Sequence, residues 1–419
     1  MSTIIPHIVE QHAEEAAFLW LLRAAAVKAP HYDLKDLARL DERVEAHVDG
    51  LRVAGEPGWE IALAELDRHG EAGELFAAGV LALESGDQAK IDRIVEAAEG
   101  NAAIADGLFS AMGWVGPERL KGKIQPLLED DARPLRRLLG LAACSVHRVD
   151  ANTHLTHLAA DENAPVRARA LRLIGEIGAV ELGHRLRAAL EDDDEACRFW
   201  AAWSAALIGE RASAFSTLRR HAESDGPFKW RALDVLVRSL PRADAMAWMS
   251  ELNGDPKHAR LAVTGAGVLG DPRFVPWLID RMTIPELARP AGESFSLITG
   301  IDLAYDDLDG DAPDGVEPGP TADPADPDVQ MDADEDLPWP EPALIQAWWH
   351  ENGDRFAAGR RHFLGHAFSP DVCRQALTTA YQRQRRAAAL DLALEQPGAA
   401  LFNCSQTGRS QQRSLAPAA

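Results

Sequence analysis

The sequence predicts an all-α protein, an α-solenoid of helical-pair repeats, and three observations carry that prediction. An apolar template recurs every 31 residues: Ile104, Leu108, Ala111, Met112, Val115; Leu135, Leu139, Ala142, Ala143, Val146; Val166, Ala170, Leu173, Ile174, Ile177; Cys197, Ala201, Ser204, Ala205, Ile208. Its internal spacing i, i+4, i+7, i+8, i+11 is one stripe of a 3.6-period helix, and only Ser204 departs from apolar character. The punctuation agrees: Asp161 and Asp192 precede the second helix of their units, Pro134, Pro165 and Pro227 fall where a first-turn proline is tolerated, and Gly178, Gly209 and Gly270 follow as stops. Each unit reads helix, turn, helix, turn.

In chain order, residues 1–58 form an N-terminal helical cap. Its amphipathic helices, 11–28 and 34–54, are separated by Pro30 and a polar turn at Asp33, and cover one end of the stack. The array occupies 59–283. It opens with a weak repeat over 60–86, where Ala77, Val80 and Leu81 match part of the template. After Ile208 the spacing slips to about 32, giving Leu233, Leu236, Val237 and Leu240 with Lys229 at the first position, then to about 30 around Ala259, Val263 and Ala266. Degenerate end repeats are what capping predicts. Residues 284–305 read as an array-terminating segment, in which Phe295–Leu303 is either a packed corner or a ligand contact through Thr299 and Asp302.

Composition changes abruptly at residue 306. The stretch 306–336 holds 13 acids, five prolines and no Lys or Arg, so it cannot bury enough apolar area to offset its ordering entropy and reads as a disordered acidic linker. Residues 337–419 form a small α-helical basic module, helical at 341–352 and about 370–396, with nine Arg and three acids between Arg355 and Arg413.

The whole chain has 419 residues, 46% of them apolar, with 11 Trp against 3 Tyr and a formal charge of −23. That charge excludes general binding to nucleic acid or anionic membrane, both of which need a basic face. Cys144, Cys197, Cys373 and Cys404 lie far apart without metal-type pairing, consistent with a reduced cytoplasmic protein. The best N-terminal apolar run, 18–27, is short and interrupted by Arg23, so neither signal peptide nor membrane span is expected.

Motifs that suggest chemistry fail on their context. Gly265, Gly267 and Gly270 fit G-x-G-x-x-G, but they lie inside a repeat helix rather than between strand and helix. Gly116–Lys123 has the wrong glycine spacing for a phosphate loop, with Ile124 in place of Ser or Thr. Asp307, Asp309 and Asp311 resemble a calcium loop, yet Ala312 and Pro318 replace its Gly and Glu. His362 and His366 have i, i+4 spacing but no third ligand, and a surface pair is the simpler reading. No catalytic residue, cofactor site or metal site is predicted, and the protein is read as non-enzymatic.

Binding signals are of another kind. Arg136, Arg167, Arg198 and Arg260 form a column beside the stripe, interrupted by Trp230, that reads as a structural ladder pairing with acids of neighbouring units. Trp200 and Trp203 fall 31 residues after Arg169 and Arg172, an exposed charged pair, so the rings are either an exposed patch or core of a thicker inter-helix space. With Trp230 and Arg231 they have the composition of an interface hot spot. Trp348 and Trp349, with Trp339, form a second aromatic group that would dock the C-terminal module. Arg383, Arg385 and Arg386 are candidates for a second partner contact.

These residues carry two resemblances. Residues about 70–280, with Asp161, Pro165-Val166-Arg167, Ala170 and Ile177-Gly178, resemble the short HEAT-type repeats seen in phycobilisome lyases. Nearly the whole chain is similar to a proteobacterial family of HEAT-repeat proteins of unknown function whose genes often lie near type VI secretion clusters. The segments that match are 226–233, 295–303, 334–340 and 382–390. The resemblance implies a cytoplasmic accessory role in secretion loading or assembly and supplies no catalytic residue. The leading expectation is a right-handed α-solenoid acting as adaptor or scaffold for a protein partner. The alternatives are an immunity-like neutraliser of a basic effector and a lyase-like enzyme acting on a cofactor or modified protein.

Overall fold

In the computed structural model of the chain, residues 4–99, 101–151, 153–316, 319, 325 and 332–416 are described. The fold is the all-α solenoid of helical pairs that the template predicts. The only strands among the described residues are two short antiparallel pairs, Asp309–Gly310 with Trp339–Pro340 and His362–Phe363 with His366–Ala367. The chain divides into two compact units. One comprises Met1–Glu210, Leu377–Ala389 and Gln396–Ala419; the other comprises Arg211–Ala376 and Leu390–Glu395.

In the first unit the stripe residues lie on the second helices of successive pairs, Ala72–Ser85, Ala102–Trp114, Pro134–His147, Ala164–Ile177 and Glu195–Leu207. Each packs on the next, and Leu108, Leu139, Ala170, Leu173, Ala201 and Ala205 are buried between them. Burial of each large apolar side chain contributes about 1.5–3 kcal/mol. Ser204, the polar exception, donates to the Leu171 carbonyl one repeat back at 2.7 Å. That contact needs Gly175 opposite, where an added Cβ would lie 2.5 Å from the Ser204 hydroxyl. The caps lie two residues beyond the aspartates read from sequence. Asn163 accepts from Val166 N and Asp194 from Cys197 N, whereas Asp161 and Asp192 brace the caps and hold Arg137 and Arg167.

The N-terminal helices Pro6–Ala26 and Leu34–Ala54 share one core with the array, since Trp20 stacks on Phe76 at 5.8 Å and Phe76 meets Trp114 edge-on at 5.3 Å. The C-terminal residues of this unit return to the same body. Leu401 N donates to the Glu176 carbonyl at 2.9 Å, and the helix Gly408–Leu415 packs on Leu34–Ala54 with Gly408 N donating to Asp41 at 2.6 Å. A separate, tethered module at 337–419 is therefore corrected: its residues are distributed over both units. The physical reason is that the helices ending at His147 and Ile177 leave carbonyls without intrahelical donors, and residues 401–406 supply them.

In the second unit the helices Lys229–Ser239, Ala259–Leu269 and Pro285–Thr299 stack on one another in turn. The segment 284–305 thus contributes a further repeat helix, with Ser294 donating to the Val263 carbonyl at 3.0 Å just as Ser204 does to Leu171. Gly267 is where that helix approaches closely, and Gly265 is where Met249 does, so the dinucleotide-like motif serves helix packing. Phe295 and Thr299 are buried, with the Thr299 hydroxyl bonded to the Phe295 carbonyl at 2.8 Å, so that segment is a packed corner. Two C-terminal features also pack here. His362 N donates to the Gly270 carbonyl at 2.7 Å, and Leu364 N and Gly365 N donate to Leu297 and Ile298 at 2.9 and 3.1 Å.

The acidic stretch is corrected at its ends. Residues 317, 318, 320–324 and 326–331 lie outside the described residues, but the flanks hold fixed contacts. Leu308 and Leu337 are buried, Gly310 pairs with Trp339, Asp334 binds Arg260 through both oxygens at 2.7 and 2.6 Å, and Asp332 binds Arg289. Composition hid this because the cations that neutralise these carboxylates lie elsewhere in the chain. His362 and His366 stand on a hairpin rather than a helix, which removes the i, i+4 geometry.

Gly178 tests the return of the C-terminal chain. Its φ of +72° and a Cβ position 2.4 Å from the Gly398 carbonyl oxygen both oppose a side chain, whereas Gly70, φ +66°, has open space around it. Gly70→Ala should cost about 1 kcal/mol in thermal unfolding. Gly178→Ala should cost about 3 kcal/mol or more and raise hydrogen exchange at 397–403. Equal costs for the two would show that the contact with Gly398 does not constrain the chain.

Candidate functional site

The first unit contains a buried polar centre that no motif announced. Glu176, on the helix Ala164–Ile177, points into the array and accepts from the Ser145 hydroxyl at 2.5 Å, exactly one repeat earlier in sequence. Three guanidiniums surround it: Arg172 Nε at 2.8 Å, Arg169 at 3.2 Å and Arg148 at 3.7 Å. Burial by itself would raise the Glu176 carboxyl, but Arg172, Arg169, Arg148 and the Ser145 hydroxyl outweigh it and hold the group far below the usual carboxylate range. Burial lowers Arg169 to about 10 despite its partner. Arg148 takes the left-handed conformation, φ 54°, at the end of the helix Pro134–His147, the place Gly178 fills in the next repeat.

Trp200 and Trp203 lie beside this centre and are core. They are 9% and 6% exposed, 5.4 Å apart edge-on, and the Arg172 guanidinium covers the Trp200 ring at 4.5 Å. Both are therefore withdrawn as surface candidates: the arginine one helix back provides the thicker inter-helix space that takes the rings. Arg383, Arg385 and Arg386 are likewise turned to the protein itself. Arg385 is fully buried, bonded to the Leu377 carbonyl at 2.7 Å, to Gln411 at 2.5 Å and to Gln382. Arg383 donates to the Lys28 carbonyl at 3.2 Å and Arg386 to the Ser405 hydroxyl at 3.4 Å. Charge counting suggested a free basic face because it cannot show which acceptors the fold brings to each arginine.

Within the second unit, Trp230 is 44% exposed, with Lys229 and Arg260 over its ring at 5.7 and 5.8 Å, and Arg231 exposed beside it. Arg260 is held in place by Asp334. Here a large ring stays exposed among cations, which is hot-spot composition at a surface. Trp348 and Trp349 are half-buried. Trp348 meets Phe295 at 5.6 Å and Trp349 meets Phe356 at 5.3 Å, so both pack the unit together. Arg289 covers Trp339 at 4.4 Å. A cavity of about 280 Å³ lies among Phe215, Leu236, Leu240 and Trp248, but its Arg219 is already paired with Glu223 and Glu251.

The arginine column meets both carboxylates and carbonyls. Arg136 binds Asp92 on the helix Gln88–Ala98, and Arg167 binds Asp192 in the next turn through two bonds of 2.7 and 2.8 Å. Arg198 donates to the carbonyls of Asp192 and Asp193, and Arg260 binds Asp334. The cysteines carry no thiolate at neutral pH. Burial pushes Cys144 up to about 11, Cys197 and Cys373 up to about 12, and Cys404 upward as well.

Residues 152–237 match the family model of HEAT repeats, a span that includes Glu176, Trp200, Trp203 and Trp230. No curated protein and no solved structure shows a significant match. HEAT repeats commonly serve in protein–protein interaction. Among the described residues no helix is long and apolar enough to cross a membrane, and no group of His, Cys, Asp or Glu is arranged to hold a metal ion.

Sequence reasoning passed over Glu176 and Arg148. The available signal was an acid inside an apolar run, Leu173-Ile174-Gly175-Glu176-Ile177, at the repeat position of Ser145. Glu176→Gln leaves three half-buried guanidiniums without a counter-charge and should destabilise the protein at pH 7 by about 3 kcal/mol. The folded carboxyl titrates lower than the unfolded one, so its stabilisation is complete above about pH 4.3 and fades as pH falls below it. The gap in melting temperature between wild type and variant should accordingly narrow from pH 7 to pH 3. A gap that is constant across that range would contradict the ionised pairing.

Proposed function

We propose that the protein is a protein-binding scaffold whose partner contacts the Trp230 face of the second unit. The observation that carries this reading is the exposed ring itself, framed by Lys229, Arg231 and Arg260, while the other tryptophans singled out by sequence are buried or half-buried. The match of residues 152–237 to HEAT repeats supports it, because such repeats present surfaces to other proteins. A partner with an acidic or aromatic anchor suits this composition.

At a finer level we read the chain as a cytoplasmic accessory factor for type VI secretion loading or assembly, on the strength of the family resemblance in segments 226–233 and 382–390. The net charge of −23 favours a second reading, a neutraliser that occludes a basic effector. Gene deletion separates them: lost secretion marks the accessory role, and self-intoxication marks the neutraliser.

The Trp230 face is tested by placing a photo-crosslinking residue at position 231 in the native host and identifying captured proteins by mass spectrometry. Trp230→Ala should reduce capture by about tenfold, the loss of a hot-spot side chain, and leave the melting temperature unchanged. Undiminished capture in the variant would remove Trp230 from the interface.

A further inference from the structure

Three arginines of the first unit share the Glu176 carboxylate. A fourth, Arg386, lies within electrostatic reach of Arg172 and, like Arg148, bonds to the segment 401–405. Arg169 and Arg172 belong to the helix Ala164–Ile177, Arg148 caps the helix Pro134–His147, and Arg386 comes from the helix Gln382–Glu395. Arg148, Arg169 and Arg172 all pair with Glu176, at 3.7, 3.2 and 2.8 Å. Arg386 bonds only to the Ser405 hydroxyl, and among the described residues no carboxylate pairs with it. Its charged neighbours are Arg383 and Arg172, while Cys404, the one group nearby that could offset them, is a buried thiol kept protonated. Asp150, the other acid near this region, is exposed and lies within electrostatic reach of Cys144. The centre therefore holds three more guanidiniums than carboxylates.

Such a surplus is unfavourable in a partly buried place, where a charge lacking its counter-charge costs stability. The arrangement is nevertheless built and held. Arg148 keeps a left-handed backbone that glycine occupies at Gly178, and its Nε is fixed by the Leu401 carbonyl at 2.6 Å. Arg172 lies on the Trp200 ring at 4.5 Å, with only its Nε engaged by Glu176, so the terminal nitrogens make no hydrogen bond among the described residues. Its side chain is 34% exposed, which opens the centre to solvent. Planar guanidiniums with free Nη edges suit tetrahedral oxyanions, and a surplus greater than one charge suits a dianion better than a monovalent carboxylate.

From this geometry we infer that Arg148, Arg169, Arg172 and Arg386 form a binding site for a phosphate-type oxyanion, with Glu176 aligning the arginines and Trp200 supporting Arg172. The site is independent of the Trp230 face, and either can fail without the other. The anion can be free phosphate or the phosphoryl group of a larger molecule.

The test is calorimetric titration of the full-length protein with inorganic phosphate, against chloride of equal ionic strength and against acetate. Saturable, single-site binding of phosphate is expected, with acetate weaker. Arg386→Gln and Arg172→Gln should each weaken phosphate binding by about tenfold or more, as loss of a charge-assisted bond implies. Arg386→Gln should melt no lower than wild type in chloride, since it removes surplus charge, which makes it the variant safe against misfolding. A phosphorylated serine in place of inorganic phosphate that binds equally well assigns the phosphoryl source. Absence of saturable phosphate binding, equal binding by both variants, or acetate binding as tight as phosphate would each overturn the site.

Discussion

A helix ends with carbonyls that its own turns cannot satisfy, and the protein answers that constraint with its own C-terminal third. In the first unit the Glu176 carbonyl receives Leu401 N, and the Val146 carbonyl receives the side chains of Asn403 and Gln406. In the second, the carbonyls of Gly270, Leu297 and Ile298 receive His362, Leu364 and Gly365. The glycines that stop these helices have a second use: at Gly178, Gly270 and Gly300 the absent Cβ lets another backbone approach closely. Stop signal and docking position are the same residue.

Charge is organised by the same return of the chain. The acidic flank is neutralised where Asp334 and Asp332 meet Arg260 and Arg289, and Arg383, Arg385 and Arg386 bond within the first unit to carbonyls, glutamines and a serine rather than to carboxylates. Along the arginine column Arg136, Arg167 and Arg260 each meet a carboxylate, with Arg167 and Asp192 forming a two-bond bridge, whereas Arg198 is held by backbone carbonyls. Pairing is unequal around Glu176. There three guanidiniums share a single carboxylate. At the surface, Trp230 is a ring left exposed among cations.

Helix pairs, their stops and their packing stripe were legible because neighbouring repeats repeat the same local demands. Leu139, Ala170 and Ala201 occupy equivalent positions because each second helix packs on the one before it, and a 3.6-period pattern records that directly. Ser204 looked like an exception and is one with a reason, a hydroxyl matched to Gly175 across the helix pair. The candidate sites were less legible. Trp200 could be core or surface until Arg172 was placed over it, and Arg385 carried no sign of burial, since glutamines and a carbonyl can hold a guanidinium as neutrally as water does.

The sequence by itself therefore determined the all-α class, the helical-pair repeat, its register from Ile104 to Ile208 and the glycine and proline punctuation, because these follow from contacts within a helix or between adjacent repeats. Only the tertiary structure decided where residues 332–340 and 361–415 go, which tryptophan stays exposed and which arginines gather around Glu176. Those outcomes rest on contacts such as Leu401 with Glu176 and Arg260 with Asp334, between residues far apart in the chain. Periodicity carries no record of such pairs, and their energy appears only once the backbone has brought donor and acceptor together.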